Sequence, residues 1–424
     1  MTAAAMTQPD EAAARLARDT RWKRTLDCVA LRQPDRMPVA LYATFWLAKY
    51  GAISCKQLMY DPEKCAELAE RAIRELDPDA YSPMLVSTAC GASLDAVGYK
   101  QVQWPGHGVG DNQPYQYLDR EYMKAEEYDE FIFDPTGYYL HTYLPRIATA
   151  FEGFEELPHF PGLHYFRLVA GIRPFARPRV RKAIEQVIRA ADEVEKYVNH
   201  YFAFEQRMAA LGYPPTNGVT SVSPYDFIAD YFRGARGIMT DLFRHKDKLL
   251  AALDKAQIFL LRHTIAAARS SGNPVVLIPV HWAPDAFMSE AQFRTFWWPT
   301  FRQMMLGMIE AGLVPMPLWE ADCTKRLEII RDIPAASCIY WFERTDMVKA
   351  NEVLGDVVAL RGNLGASLMT TGKPQDIDAA VKRLAEDVFH KGGKLILDCA
   401  FGIPDETPVE NVRAMFAAAR KYAG

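Results

Sequence analysis

The sequence lacks the features that would place the protein in a membrane or on nucleic acid. Its 424 residues carry a formal net charge of -4, so there is no basic excess of the kind that binds phosphate backbones. The stretch from Met1 to Arg24 alternates small and charged residues without a signal-peptide core, and no later apolar run is long enough to span a bilayer. We therefore expect a cytoplasmic protein with no nucleic-acid or membrane partner.

Closely spaced cysteine pairs are also missing. The seven cysteines are odd in number and never form a CxxC motif, which excludes a disulfide framework and a zinc ribbon. Hydrophobic residues make up 50% of the chain and charged residues 24%, as in a soluble protein with a large core. Most of the cysteines are expected to be reduced core residues.

Short β-branched or aromatic runs alternate with amphipathic stretches from about Pro38 onward, which predicts a parallel sheet built from βα units. The helical periodicity is clearest from Ile184 to Val198. Eight runs are predicted as strands: 39–45, 81–86, 218–221, 275–280, 313–319, 337–342, 357–361 and 394–398. Eight is the number that closes a parallel (β/α)₈ TIM barrel, an α/β fold.

The expected domain organisation is one barrel, because such a barrel with insertions accommodates this length. Residues 1–25 are predicted as an N-terminal arm and residues 26–424 as the barrel domain. Residues 91–177 contain several Gly, Pro and aromatic residues and are predicted as loops and hairpins that cap the barrel after the second strand. Since the outer helices of barrels often pair, a homodimer is the default expectation.

Polar and aromatic residues follow the predicted strands, at the end where barrel enzymes place their active sites. The catalytic candidates are His281, Glu320, Asp322 and Asp398. His281 suits proton transfer or metal ligation, and a structural role for its ring is the alternative. The predicted substrate-binding residues are Tyr42, Trp46, Trp282, Trp319, Arg361, Asn363, Phe401 and, as part of a lid, His107. A plain surface turn is the alternative for His107.

The C-terminal half resembles the uroporphyrinogen decarboxylase superfamily. The resemblance lies in the closing segment from Gly393 to Pro404 with the helix that follows it, in Gly362-Asn363-Leu364, in the stretch Ser223 to Gly234, and in Pro34-Asp35-Arg36-Met37-Pro38. It covers the chain from about residue 25 to the end and implies a (β/α)₈ barrel. It also implies that Asp226 and Asp230 lie near the substrate, although helix capping explains Asp226 nearly as well.

The corrinoid-linked methyltransferase branch is the closer match. True uroporphyrinogen decarboxylases place paired arginines after the first strand to hold a polycarboxylated tetrapyrrole, and here that strand ends in Tyr42-Ala-Thr-Phe-Trp46. The methyltransferase branch holds zinc through His-x-Cys after the fifth strand and a second Cys beside Gly-Ile-Pro. The matching positions here are Glu320-Ala321-Asp322 and Phe401, so both family thiolates are absent.

Carboxylates in place of thiolates leave three interpretations, and the simplest is that Glu320 and Asp322 are charged residues at a solvated barrel mouth. His281, Glu320 and Asp322, with Cys399 as a shifted thiolate, can hold a divalent metal such as zinc. Alternatively, the two carboxylates perform general acid/base chemistry. Arg361 is a candidate for binding a substrate anion, whereas the resemblance gives Asn363 a role in the turn.

The sequence thus predicts a methyltransferase that moves a methyl or one-carbon group with a corrinoid (cobalamin), or with a corrinoid protein as partner, on a small apolar or aromatic substrate. The aromatic residues at the predicted mouth favour such a substrate. Two alternatives remain: a decarboxylase or other lyase that needs no cofactor, and a non-catalytic barrel that binds a small molecule.

Overall fold

The computed structural model describes residues 11–83, 85, 88–159 and 162–424. The strands in this part of the chain are β1 (Ala40–Leu41), β2 (Ala80–Tyr81), β3 (Val102–Pro105), β4 (Gly108–Val109), β5 (Gln116–Tyr117), β6 (Val219–Thr220), β7 (Val275–Val280), β8 (Val314–Trp319), β9 (Ile339–Phe342), β10 (Ala359–Arg361) and β11 (Leu395–Ile396). Met84 and Val86, in the strand predicted over 81–86, lie outside the described residues, as do residues 1–10 of the predicted arm.

Eight of these strands form a closed parallel ring. Strands β6 to β11 pair side by side in chain order, and β1 pairs with β2. Parallel bridges from Val39 to Leu397 and from Tyr81 to Pro215 join the two sheets. The predicted (β/α)₈ barrel is therefore confirmed, with shorter ladders than expected at β1 and β11.

Helices surround the ring. The α-helices of the barrel are Glu11–Val29, Trp46–Gly51, Cys55–Tyr60, Pro62–Leu76, Pro178–Ala210, Pro224–Asp226, Gly234–Arg244, Lys246–Ser271, Glu290–Gln292, Trp298–Glu310, Leu327–Ile330, Met347–Leu354, Ala366–Thr371, Pro374–Leu384 and Val409–Tyr422. Wider π-helical turns occupy Phe227–Arg233, Phe293–Trp297 and Ala385–Phe389, and a 3₁₀ turn occupies Thr324–Arg326. The predicted helix around 184–198 is the centre of the 33-residue helix Pro178–Ala210.

The insertion after β2 combines a small sheet with short helices. Strand β3 pairs with β4 and β5. Its helical segments are Gly91–Val97, Ala125–Glu127, Tyr128–Phe133, Pro135–Tyr138, Tyr139–Tyr143, Leu144–Ile147, Thr149–Glu156, Arg167–Gly171 and Arg173–Ala176. The insertion lies against the β6 side of the ring, because Gln101 donates hydrogen bonds to Tyr143 and to the backbone of Tyr231.

Two apolar layers hold the barrel together. Successive side chains of a strand alternate between the ring interior and the surrounding helices. In β9, for example, Trp341 belongs to the interior cluster and Tyr340 to the cluster under the helices. Burying one large apolar side chain contributes roughly 1.5–3 kcal/mol to the stability of the fold. Both layers therefore hold the strands, and with them the residues at the strand ends, in fixed positions.

The helix Glu11–Val29 packs at the amino ends of the strands and crosses the predicted arm boundary at residue 25. Arg24 donates hydrogen bonds to Asp35 and to the buried Asp79, and Arg36 also reaches Asp79. The Asp35-Arg36 motif is thus a structural element at the end of the barrel opposite the mouth. Within the described chain, no helix is both long and apolar enough to cross a membrane.

Candidate active site

His281 is the centre of a hydrogen-bonded cluster at the barrel mouth. It directly follows β7, and its side chain is 43% exposed. Its Nδ1 lies 2.6 Å from Asp230 Oδ2, and its Nε2 lies 3.5 Å from Glu320 Oε1. The imidazole therefore has a carboxylate on each ring nitrogen, with the closer contact at Nδ1.

Asp226 and Asp230 reach this cluster from the helical segment after β6. The Ser223 hydroxyl caps that segment by accepting from the Asp226 N–H, so Asp226 is not the cap. Its own carboxylate accepts from the backbone N–H of His281 at 2.9 Å and from Trp297 Nε1 at 3.0 Å. Asp230, four residues on and thus on the same helix face, also accepts from Trp282 Nε1 at 2.7 Å. These indole donors fix both carboxylates in place.

The carboxylates set the charge of the imidazole. Burial alone lowers the pKa of His281, but hydrogen bonds that its ring donates to Asp230 and Glu320, together with the charge of Asp226, raise this pKa to about 11. Burial and the neighbouring Asp230 raise the pKa of Asp226 to about 7. His281 is accordingly an imidazolium at neutral pH, with protons on both ring nitrogens.

A cavity of about 380 Å³ opens beside His281. The imidazole and Asp230 form one wall, and Thr220 and Ser221 line the cavity at the end of β6. Six further lining residues come from the insertion and from the helical segment after β6, and half of them are tyrosines: Tyr99, Gln101, Tyr117, Leu118, Asp119 and Tyr231. A volume in this range suits a small molecule with one ring.

Asp398 and Arg361, predicted as catalytic and anion-binding residues, instead pair with each other inside the ring. Arg361 is 2% exposed and donates to Asp398 Oδ2 at 2.9 and 2.6 Å, while its guanidinium lies over the Trp341 ring. Burial raises the pKa of Asp398 to about 6, although Arg361 opposes this. Both predictions are wrong, because each charge is satisfied by the other and excluded from solvent.

Tyr42 lies above this ion pair, at the rim of the mouth. Its ring meets Trp341 edge to face, with 5.2 Å between centroids, and burial raises the pKa of its hydroxyl. Gly402, of the Gly-Ile-Pro motif, has φ +96, and a Cβ there would lie 2.3 Å from Tyr42 Cδ1. The motif therefore needs glycine at this position. The neighbouring Phe401 is exposed, as a residue that contacts a ligand would be.

Two of the predicted aromatic contacts are wrong. Trp319 is fully buried among Trp297, Phe301 and Tyr340 in the helix-facing layer. Trp46 is also fully buried, and its Nε1 donates to the Thr407 carbonyl. Strand alternation turns Trp319 away from the ring interior. Trp282, in contrast, is at the mouth as predicted.

The four predicted metal ligands do not come together. Glu320 faces His281, but Asp322 is exposed and accepts from the N–H and hydroxyl of Thr324. The buried thiol of Cys399 points to Met415 on the last helix, 3.7 Å from its sulfur. Among the described residues there is no group of three or more His, Cys, Asp or Glu side chains arranged to hold a metal ion. The residues present therefore do not fit a zinc ion.

Asn363 and His107 lie apart from the His281 cluster. Asn363 donates to the Thr345 carbonyl at 2.7 Å and lines a separate cavity of about 520 Å³ with Glu343 and Arg344. His107 stacks on Trp104 in the insertion and pairs with Asp95 at 2.8 Å, so the structure favours the surface-turn interpretation over a lid.

The family resemblance implied that Asp226 and Asp230 lie near the substrate, and their spacing of four in a helical stretch after a strand fits the shared face on which the structure places them. Other residues of the site were not predicted. The insertion tyrosines Tyr99 and Tyr117 carry no sequence signal. Their place beside His281 depends on how the insertion folds over the mouth, which no local pattern encodes.

These features define a parallel (β/α)₈ barrel with a titratable cluster and an aromatic cavity at the carboxyl ends of its strands. The sequence profile of uroporphyrinogen decarboxylase (URO-D) matches residues 168–422. That is more than half of the chain, and the protein belongs to this family.

A solved structure supports the fold. The chain is similar to a methyltransferase from Methanosarcina mazei, with a TM-score of 0.60 over 95% of this chain and 98% of that one. The two sequences are 18% identical, so the likeness concerns the fold alone. No curated protein sequence matches this chain.

Proposed function

We propose that the protein is a methyltransferase that removes the methyl group from the oxygen of a small aromatic ether, with a reduced corrinoid as the acceptor. The observation that carries the proposal is the imidazole of His281, which has a carboxylate, Asp230 or Glu320, facing each ring nitrogen beside a cavity lined by three tyrosines. When the methyl–oxygen bond breaks, its electron pair stays on the oxygen. A proton donor must then neutralise the developing phenolate.

The donor atom in this proposal is Nε2 of His281. The Nδ1 proton is held by Asp230 at 2.6 Å, whereas Nε2 is 3.5 Å from Glu320 and belongs to a side chain that is 43% exposed. Asp230 thus orients the ring and stabilises its charge, and the loosely held Nε2 proton is free to move to the substrate. Glu320 is placed to guide water that restores this proton.

The pKa of the donor suits this leaving group. A phenol of the tyrosine type has a pKa of about 10, so proton transfer to its phenolate from an acid of similar pKa is nearly balanced in free energy. The pKa of His281, raised to about 11, lies near this value. An ordinary histidine, with a pKa near 6.5, would carry the proton in only about a quarter of the molecules at pH 7.

A reduced corrinoid, when bound, would supply the nucleophile for the methyl group. The exposed rings of Tyr117 and Phe401 offer flat apolar surfaces at the mouth against which a macrocycle can pack. Because the residues do not fit zinc, we assign no step to a metal-bound thiolate.

The test is methyl transfer from methoxybenzenes to chemically reduced cobalamin, followed by the absorbance of methylcobalamin and by the phenol released. The wild-type protein is expected to form both products in equal amounts. His281→Gln should lower the rate at least 100-fold, since a positioned general acid contributes about 10² to 10⁴. His107→Gln is the matched control, because it removes another half-exposed histidine paired with an aspartate, and it should retain full activity.

The lyase alternative gives a different product. If hydroxybenzoates lose carbon dioxide and no methylated corrinoid forms, the methyltransferase proposal is wrong and His281 protonates a carbanion instead. Binding without turnover in either assay would favour the non-catalytic barrel.

A further inference from the structure

A second cavity adjoins the one beside His281. Its volume is about 450 Å³, and it runs from the barrel mouth outward between the insertion and the helix Lys246–Ser271. The two cavities share six lining residues: Tyr99, Gln101, Thr220, Ser221, Val222 and Tyr231. The two cavities therefore adjoin, with these six residues forming one side, the shared wall, that runs along both.

The lining of the outer cavity differs in chemistry from that of the inner one. The inner cavity contains His281 and the carboxylates of Asp119 and Asp230. The residues special to the outer cavity are mainly aliphatic or aromatic: Val97, Leu144, Ile147, Phe151, Phe227 and Leu260. Apart from tyrosines, the described lining residues of this cavity include one ionisable residue, His263, and it is exposed. An apolar group is thus favoured in the outer cavity, and a polar reacting group in the inner one.

The shared wall is built from a hydrogen-bonded network. The Tyr99 hydroxyl donates to Gln101 Oε1 at 2.8 Å, and Gln101 Nε2 donates to the Tyr231 carbonyl at 3.1 Å. The hydroxyl of Tyr143 donates to the same carbonyl at 2.8 Å. With its amide and carbonyl satisfied in this way, the wall presents the tyrosine rings to both compartments without an unpaired buried polar group.

We propose that the two compartments bind one elongated substrate, an aromatic ether with an apolar substituent. The ether oxygen lies at His281 and the substituent lies in the outer cavity, beside Leu144, Phe151 and Leu260. This inference rests on the proposed methyl transfer and adds the substrate class. It predicts that chain length on the ring, rather than further charged groups, determines affinity.

The experiment measures the affinity of 4-alkylanisoles, with alkyl chains of one to six carbons, by calorimetry. Because each buried methylene contributes to affinity, the wild-type Kd should fall roughly threefold to fourfold per carbon until the outer cavity is full. Leu144→Trp, which fills the outer cavity, should abolish this dependence and leave the Kd of 4-methylanisole unchanged. Leu16→Trp, on the exposed face of the first helix, is the matched control and should behave as wild type.

A second variant keeps the test decisive if Leu144→Trp folds poorly. Phe151→Ala enlarges the outer cavity and should shift the plateau of the Kd to longer chains. A wild-type Kd that is independent of chain length, or a dependence that survives Leu144→Trp, overturns this inference while leaving the methyltransferase proposal intact. Chain-length dependence without methyl transfer supports the elongated site and contradicts the proposed chemistry. If none of the anisoles binds, both are overturned.

Discussion

Replacing Asp230 by asparagine should lower the pKa of His281 without unfolding the protein. The change removes the negative charge that lies 2.6 Å from Nδ1 but keeps an oxygen that can accept the Nδ1 proton. A hydrogen bond to a charged group contributes about 1.5–3 kcal/mol, which corresponds to about 1–2 pKa units. Because the imidazole is 43% exposed, solvent screening favours the lower end, a fall of about one unit.

The assay is a titration of the histidine Cε1 proton by NMR, with the His281 signal assigned from its loss in His281→Gln. Asp95→Asn, which removes the carboxylate partner of His107, is the matched control and should leave the His281 titration unchanged. A wild-type His281 that titrates near 6.5, or an unchanged pKa in Asp230→Asn, would show that Asp230 does not raise the pKa of this imidazole.

The same shift determines how stability depends on pH. The pKa of His281 is higher in the folded protein, about 11, than in the unfolded chain, where it is near 6.5. The stabilisation from its carboxylate contacts is therefore complete below about pH 6.5 and is lost as the pH rises toward 11. The urea midpoint of the wild-type protein should decline over this range more than that of His281→Gln, and parallel curves would contradict the assignment.

Three further substitutions test individual parts of the structure. Gly402→Ala should lower the free energy of unfolding, measured by urea titration, by more than Gly392→Ala does. Both glycines have a positive φ, near +96 and +92, so the backbone strain is similar in the two variants. Of the two, only Gly402 has a tyrosine ring within contact of a new Cβ. Arg361→Met should cost about 3–5 kcal/mol in the same assay, since it leaves a buried aspartate without its partner, and a cost below 1 kcal/mol would contradict the buried pair. Glu320→Gln should lower the pKa of His281 in NMR titrations, because Glu320 faces the imidazole. Asp322→Asn should leave this pKa unchanged, because Asp322 instead accepts hydrogen bonds from Thr324. Equal effects of the two substitutions would be inconsistent with the observed positions.

The barrel was predictable because each strand has a characteristic residue pattern within its own short stretch of sequence. The run 275–280 is buried on both faces, so its apolar residues are continuous, and the predicted and observed strands agree at both ends. The first predicted strand, 39–45, is in fact the two-residue β1. A ladder continues only as far as its neighbours pair with it, and the pairing partners of β1 lie in distant parts of the chain.

The site was predictable where a side chain directly follows a strand, as for His281 and Glu320. The site was not predictable where the role of a residue depends on the side to which its side chain points, or on a charged partner elsewhere in the chain. Trp319 is one residue before Glu320 but faces the helices, because consecutive strand residues point to opposite sides. Arg361 is at a strand end too, yet Asp398, which follows the neighbouring strand β11, neutralises it. Such pairings are decided by tertiary contacts.

The most direct measurement is a solved structure of the protein with a bound phenol, the product of the proposed reaction. The phenol oxygen is expected within hydrogen-bond distance of Nε2 of His281, with the ring in the cavity lined by Tyr99, Tyr117 and Tyr231. A phenol bound instead in the separate cavity beside Glu343 and Arg344 would contradict this expectation.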